Sequence, residues 1–357
     1  MLIDLNNIEK VKEIDSQKAI ETTENYDSQF QEGLKLGQSI EIEELPDRID
    51  NIILLGTGGG SAITGGLLQS YLFDELPVPL YINQGYNIPA WVDENTLVLV
   101  VSHSGNTEEI VNSFKQAEQR GACIFILTSG GILGEKAREQ GIPHLIVPRD
   151  IGHPRRDLGY IFIPLLALLN KLGLIEDKTG EVLDLIELFG ELKNRYRLKT
   201  PLEKNPAKQL AVDLDNYIPL IYGSLDYYDV VAWRWKNQFG ENGKKLAFYN
   251  VIPNLHHDEA VGWEMEKEVL ERFYLVVLRD SELDLDNIKK RKDVTVEILR
   301  ERIGKVIEVY AEGHTRLARM FSLIYLGDFV TIYHAIARGI DPTPVNIIDY
   351  FKKKMME

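Results

Sequence analysis

The sequence predicts an α/β protein built from two doubly wound halves, each a parallel sheet flanked by helices, and three observations carry that expectation. Short apolar runs without polar alternation recur along the chain, as strands buried on both faces do. Between them lie segments with apolar residues at helical spacing. A charged stretch punctuated by Pro201 and Pro206 interrupts the alternation near the middle, after which it resumes. At 357 residues the chain is long enough for two cores. The expected division is a helical segment over 1–48, a first α/β domain over 49–200 and a second over 201–357 with helices at its end.

Residues 1–48 are polar and charged, with Ile8, Val11, Ile14 and Ile20 at helical spacing, and predict one or two helices ended by Pro46. The apolar run at 51–55 is a strand, and a glycine-rich turn at 56–61 then opens onto a helix carrying Leu67, Leu68, Tyr71 and Leu72. Further strands are expected at 79–83, 96–101, 122–127 and 144–147. Residues 148–159 form an arginine-bearing loop before a strongly apolar helix, and 175–215 are charged and partly helical. The second half predicts strands at 217–222, 246–251, 273–278, 294–298 and 306–310. A long helix over 315–338 stops at Gly339 and Pro342, and a last helix runs over 344–354.

Composition removes several function classes. Hydrophobic residues at 44% and charged residues at 27% are ordinary for a globular protein. A formal charge of −15 argues against a nucleic-acid surface, which needs clustered Lys and Arg. The basic run Lys289, Lys290, Arg291, Lys292 reads as a solvated face before a strand. Cys123 is the single cysteine, so the chain forms no internal disulfide and no cysteine-based metal cluster, and it reads as a buried structural thiol on a core strand. The start has no basic region followed by a long apolar one, and no run of about 18 apolar residues occurs. The expectation is a cytoplasmic protein without membrane contact.

One turn invites an anion, and a second lets backbone come close to a ligand with the Ser61 hydroxyl nearby. After the strand at 96–101 come Ser102, His103, Ser104, Gly105, Asn106 and Thr107, and then a helix beginning at Glu108 and Glu109 with Ile110, Val111, Phe114 and Ala117 on its apolar face. The first amide groups of a helix lack intrahelical partners and the helix dipole is positive there, so a phosphate is favoured. Three hydroxyls add donors, and Gly105 allows close approach of backbone. An ordinary Ser/Thr-capped helix start explains this segment about as well when it is taken alone. The turn at 56–61 fits neither GxGxxG, since Ser61 stands at the last glycine position, nor GxxxxGK[ST]. In a doubly wound sheet both turns lie beyond the carboxyl ends of strands, where they can converge on one site.

Five segments stand out in order: 102–109, Pro154-Arg155 with Leu158-Gly159, Arg234 to Gln238 leading to Glu241-Asn242-Gly243-Lys244, 253–259, and Asp341-Pro342 through Lys352. In these the chain resembles the SIS (sugar isomerase) domain family and, within it, the bifunctional phosphoglucose/phosphomannose isomerases. The resemblance implies that both α/β domains are of the SIS type. It implies that Ser61, Ser102, Ser104 and Thr107 bind the 6-phosphate of a sugar, with the backbone of Gly59, Gly60 and Gly105 nearby. Arg155 would lie over a developing enediolate, and Glu241 would be the base. His257 and Lys352 would assist ring opening, the histidine reaching in from the second subunit of a homodimer. No metal or other cofactor is implied. The sequence departs from the family pattern by one extra glycine in the first turn, by His103 where tyrosine is common, and by Asp258 after His257.

The implied reaction suits these residue types. Interconverting glucose 6-phosphate or mannose 6-phosphate with fructose 6-phosphate moves a proton between C1 and C2 through a cis-enediol, which one carboxylate can remove and return. A cation where negative charge develops stabilises the enediolate, and an imidazole suits ring opening. Each residue also has a plain reading: Glu241 as a solvent-facing residue after an amphipathic helix, and Lys352, Lys353 and Lys354 as a basic helix end. His256, His257, Asp258 and Glu259 are poorly spaced for one metal ion. The alternatives are a SIS enzyme for another sugar phosphate and a non-catalytic sugar-phosphate sensor. The joint presence of Glu241, His257 and Lys352 favours the enzyme.

Overall fold

The structure is a computed structural model describing residues 2–42, 48–149 and 153–355. Three helices come first, α1 (Ile8–Ile14), α2 (Ala19–Glu24) and α3 (Tyr26–Gln38), one more than the sequence suggests. The break has a local cause. The Asp15 carboxylate accepts hydrogen bonds from the amides of Ala19 and Ile20 at 2.7 and 3.0 Å, ending one helix and starting the next. Pro46, expected to close this section, lies outside the described residues.

The first α/β unit runs β1 (Asn51–Leu55), α4 (Ile63–Tyr71), β2 (Leu80–Asn83), β3 (Thr96–Ser102), α5 (Glu108–Gln119), β4 (Cys123–Thr128), α6 (Gly131–Gln140) and β5 (His144–Ile146). Its five strands are parallel in the order β2-β1-β3-β4-β5. The chain leaves β1 toward one edge and returns at β3 to build the other, so the switch point of the sheet lies between them. Every residue of β3 is buried, as its unbroken apolar run requires. Cys123 heads β4 half-buried, less enclosed than its run suggests, and burial pushes its thiol pKa up.

Helices α7 (Leu158–Lys171), α8 (Thr179–Tyr196) and α9 (Pro206–Asp213) lead to the second unit. There follow β6 (Ile218–Ser224), α10 (Asp229–Glu241), β7 (Phe248–Ile252), α11 (Lys267–Leu270), β8 (Phe273–Arg279), α12 (Asp286–Arg300) and β9 (Lys305–Tyr310), then α13 (Arg316–Ala337) and α14 (Asn346–Met355). The sheet is parallel, in the order β7-β6-β8-β9. It has four strands where five were expected, because 294–298 lies inside α12. Val294, Val296 and Ile298 alternate like a strand, yet the buried positions are Lys292, Thr295, Val296 and Leu299, at helical spacing. Nor is the basic run wholly solvated. Lys292 is buried, with Nζ 2.6 Å from Asp284 Oδ2 and 3.4 Å from Ser224 Oγ. The carboxyl ends of β6 and β8 are thus filled by the protein's own side chains.

The centre of the molecule is α13, whose residues from Leu317 to Ala337 are all buried. It is long and apolar enough to suit a membrane, but it is enclosed by the protein, as expected for a core helix apolar on every side. Edge-on contacts among Phe30, Phe189 and Phe321 join it to α3 and α8. The two units meet where α10 crosses α4. A methyl group on Gly66 would sit 2.7 Å from Val230 Cγ2, so this close approach depends on glycine.

Candidate active site

The turns after β1 and β3 sit side by side because their strands pair, Leu55 opposite Val100. In the first, Gly58 at φ +71° turns the chain into a wide helical turn, Gly58–Ala62, in which Ser61 is nearly buried. In the second, Gly105 at φ +67° packs so tightly that a methyl group there would overlap the Gly130 carbonyl. Ser102 Oγ lies 3.1 Å from Thr107 Oγ1. Thr107 occupies the N-cap position of α5 but makes no capping bond, so the first amides of that helix remain available to an anion. Ser104 is exposed at the mouth. All four hydroxyls lie at the carboxyl ends of β1 and β3.

Glu241, the last residue of α10, reaches this place across the interface between the two units. Its Oε1 rests against Gly59 so closely that a Cβ at Gly59 would overlap it. Its Oε2 lies 3.6 Å from Arg155 Nη1, a charge contact too long for a strong hydrogen bond. Gly60 in turn makes room for the carbonyl of Pro154. A Gly59→Ala substitution is therefore expected to push the flexible Glu241 carboxylate aside, lowering kcat at least tenfold while the melting temperature moves by no more than a few degrees. Parallel kinetics and thermal melts check this.

Arg155 is buried and fully oriented. Its Nε donates to Asn242 Oδ1 at 2.6 Å, and Nη2 donates to the carbonyls of Pro342 and Thr343 at 2.9 and 3.0 Å. Its Nη1 is buried without a hydrogen-bond partner among the described residues, a donor left for something else. Burial and the adjacent Arg156 bring its pKa down to about 10. The same positive cluster acts on its neighbours: burial and Arg155 lower Lys244 to about 8. Burial, with Arg155, Arg156, Lys244 and Lys352 beyond it, lowers His153 to about 4. Arg155, Arg156 and Lys244 beside the Glu241 carboxylate suit a substrate that is an anion and becomes more so during reaction.

The remaining expected residues make no side-chain hydrogen bond or ion pair with the site among the described residues. His257 is exposed after the turn Asn254–His256. Lys352 is exposed on α14, a helix with no buried residue, although its charge reaches His153. Sequence reasoning missed the frame behind the site. Arg234 donates from Nη1 to the Gly59 carbonyl at 3.2 Å and from Nη2 to the Arg155 carbonyl at 3.0 Å, and it is paired with Asp328. Arg234 and Asn242 both stood in matched segments, but nothing there gave them a role.

A family model described as the bacterial phospho-glucose isomerase C-terminal SIS domain matches residues 203–355. A bifunctional phosphoglucose/phosphomannose isomerase of Caldicellulosiruptor bescii is 41% identical over 337 residues, covering 94% of this chain and 98% of the relative. One of Aquifex aeolicus is 33% identical, covering 83% of this chain and 88% of that protein. In fold the chain is similar to a glucose-6-phosphate isomerase like protein from Thermus thermophilus, with TM-score 0.60 at 19% identity and 99% of each chain covered.

Proposed function

This chain belongs to the bifunctional phosphoglucose/phosphomannose isomerases of the SIS-domain family, and from that premise we propose how it interconverts glucose 6-phosphate and mannose 6-phosphate with fructose 6-phosphate. The 6-phosphate binds Ser61, Ser102, Ser104, Thr107 and the uncapped start of α5. Glu241 takes the proton from C2 of the open-chain aldose and returns it to C1, passing through a cis-enediol. Arg155 Nη1 stabilises the negative charge that develops on the sugar oxygens. Both aldoses lead to the same enediol, so accepting both needs only tolerance at C2. The observation that carries this reading is the Glu241 carboxylate set against Gly59, 3.6 Å from an otherwise unpartnered donor of a buried arginine.

Ring opening is assigned to Lys352 and to His257 of a second copy, making the working unit a homodimer. Its support is surface that one copy leaves bare: α14 exposes Ile347, Tyr350 and Phe351, and the edge strand β7 exposes Phe248 and Tyr249. The reading is of a cytoplasmic enzyme acting on small phosphorylated sugars. Incubation with fructose 6-phosphate alone is expected to yield both glucose 6-phosphate and mannose 6-phosphate, resolved by chromatography. Formation of neither, with sugar-phosphate binding retained, would make the protein a sensor or an isomerase of another sugar.

A further inference from the structure

His103 lies within the proposed phosphate turn, between Ser102 and Ser104, and its side chain meets Asp157. Its Nδ1 is 2.9 Å from Asp157 Oδ2, with the two side chains 10% and 0% exposed. No other described side chain donates a hydrogen bond to either Asp157 oxygen. The buried Asp157 carboxylate therefore has the imidazole as its one close side-chain partner among the described residues. Burial raises its pKa, and His103, Arg156 and Arg155 oppose that rise. On the other side, the His103 carbonyl accepts from the Ser129 amide at 2.9 Å and the Ser129 hydroxyl at 2.7 Å, fixing the turn to the connection after β4.

Asp157 sits at the start of α7, in the same short segment as Arg155. Among the described residues no other side-chain hydrogen bond or ion pair joins the turn at 102–107 to the segment at 154–157. Resting on the isomerase reading above, we propose that His103 is a positioning residue: paired with Asp157, it clamps the phosphate turn to the segment carrying Arg155. The spacing between the anchored phosphate and the guanidinium that meets the enediolate is then set before substrate arrives. Such preorganisation acts on the chemical step, because an ångström of misplacement costs up to about a hundredfold in rate. The phosphate contacts themselves involve other groups and survive its loss.

The test compares the parent enzyme with His103→Gln, Asp157→Asn and the double variant on fructose 6-phosphate, with inhibition by inorganic phosphate and thermal melts alongside. Each single variant is expected to lose about tenfold or more in kcat, with KM and phosphate inhibition within about threefold. The double variant, in which two amides of similar size bridge the gap without charge, is expected to recover most of that loss. Folded single variants with kcat within twofold of the parent would overturn the clamp. So would losses of activity that track the melting temperature and are not recovered in the double variant, the mark of a purely structural pair. A parent enzyme that does not isomerise fructose 6-phosphate would overturn the isomerase reading and the clamp together, whereas an active parent with unaffected variants removes the clamp alone.

Discussion

Replacing Glu241 with glutamine is expected to lower kcat on fructose 6-phosphate by about a hundred- to ten-thousandfold, with KM within a few fold. Glutamine keeps the size of the side chain and its place against Gly59, so the phosphate turns and α10 are undisturbed. Arg155 stays oriented, since Asn242 and the carbonyls of Pro342 and Thr343 hold it independently of Glu241. What is lost is a group able to accept a proton from carbon. In deuterated water the parent enzyme should place deuterium at C2 of the aldose product, and the variant should show neither that exchange nor turnover. A variant retaining more than about a tenth of parental kcat would move the base to another residue.

The fold was legible where burial alone decides structure. The runs ending at Leu55 and Ser102 are buried on both faces, so their composition identifies them as parallel strands. It failed at α12, where β-branched residues alternate by chance on a helix and the face that packs is set by the sheet beneath. The two strand–turn–helix junctions were legible because a strand, a small-residue turn and a helix start are contiguous in sequence. The placement of Glu241 was not, because a carboxylate at the end of one unit meets a glycine of the other only through the crossing of α4 and α10. Its candidacy came from resemblance, and its geometry from packing. The Arg234–Asp328 pair was invisible for a similar reason: the partners are 94 residues apart, and neither lies in a pattern that announces a contact.

That pair sets the second large effect: Asp328→Ala is expected to remove about 3–5 kcal/mol of stability. The Asp328 carboxylate is almost wholly buried and accepts four hydrogen bonds. Arg234 donates to it from Nε at 3.2 Å and Nη2 at 2.6 Å, the Tyr26 hydroxyl at 2.7 Å and Gln238 Nε2 at 2.9 Å. Removing it leaves the buried Arg234 guanidinium without its counter-charge and strands two further donors, and an uncompensated buried charge is the costly case. The loss would be a large fraction of the roughly 5–15 kcal/mol that holds such a chain folded. It should appear as a lower urea midpoint with an unchanged slope. Activity should fall beyond what unfolding explains, because Arg234 also holds the carbonyls of Gly59 and Arg155. The paired change Arg234→Met with Asp328→Leu should recover much of the stability, since it removes both charges, but not the activity, since it removes the donors that register the two halves of the site. A loss below about 1 kcal/mol in Asp328→Ala would mean that Arg234 finds another anion, and the frame behind Glu241 and Arg155 would have to be sought elsewhere.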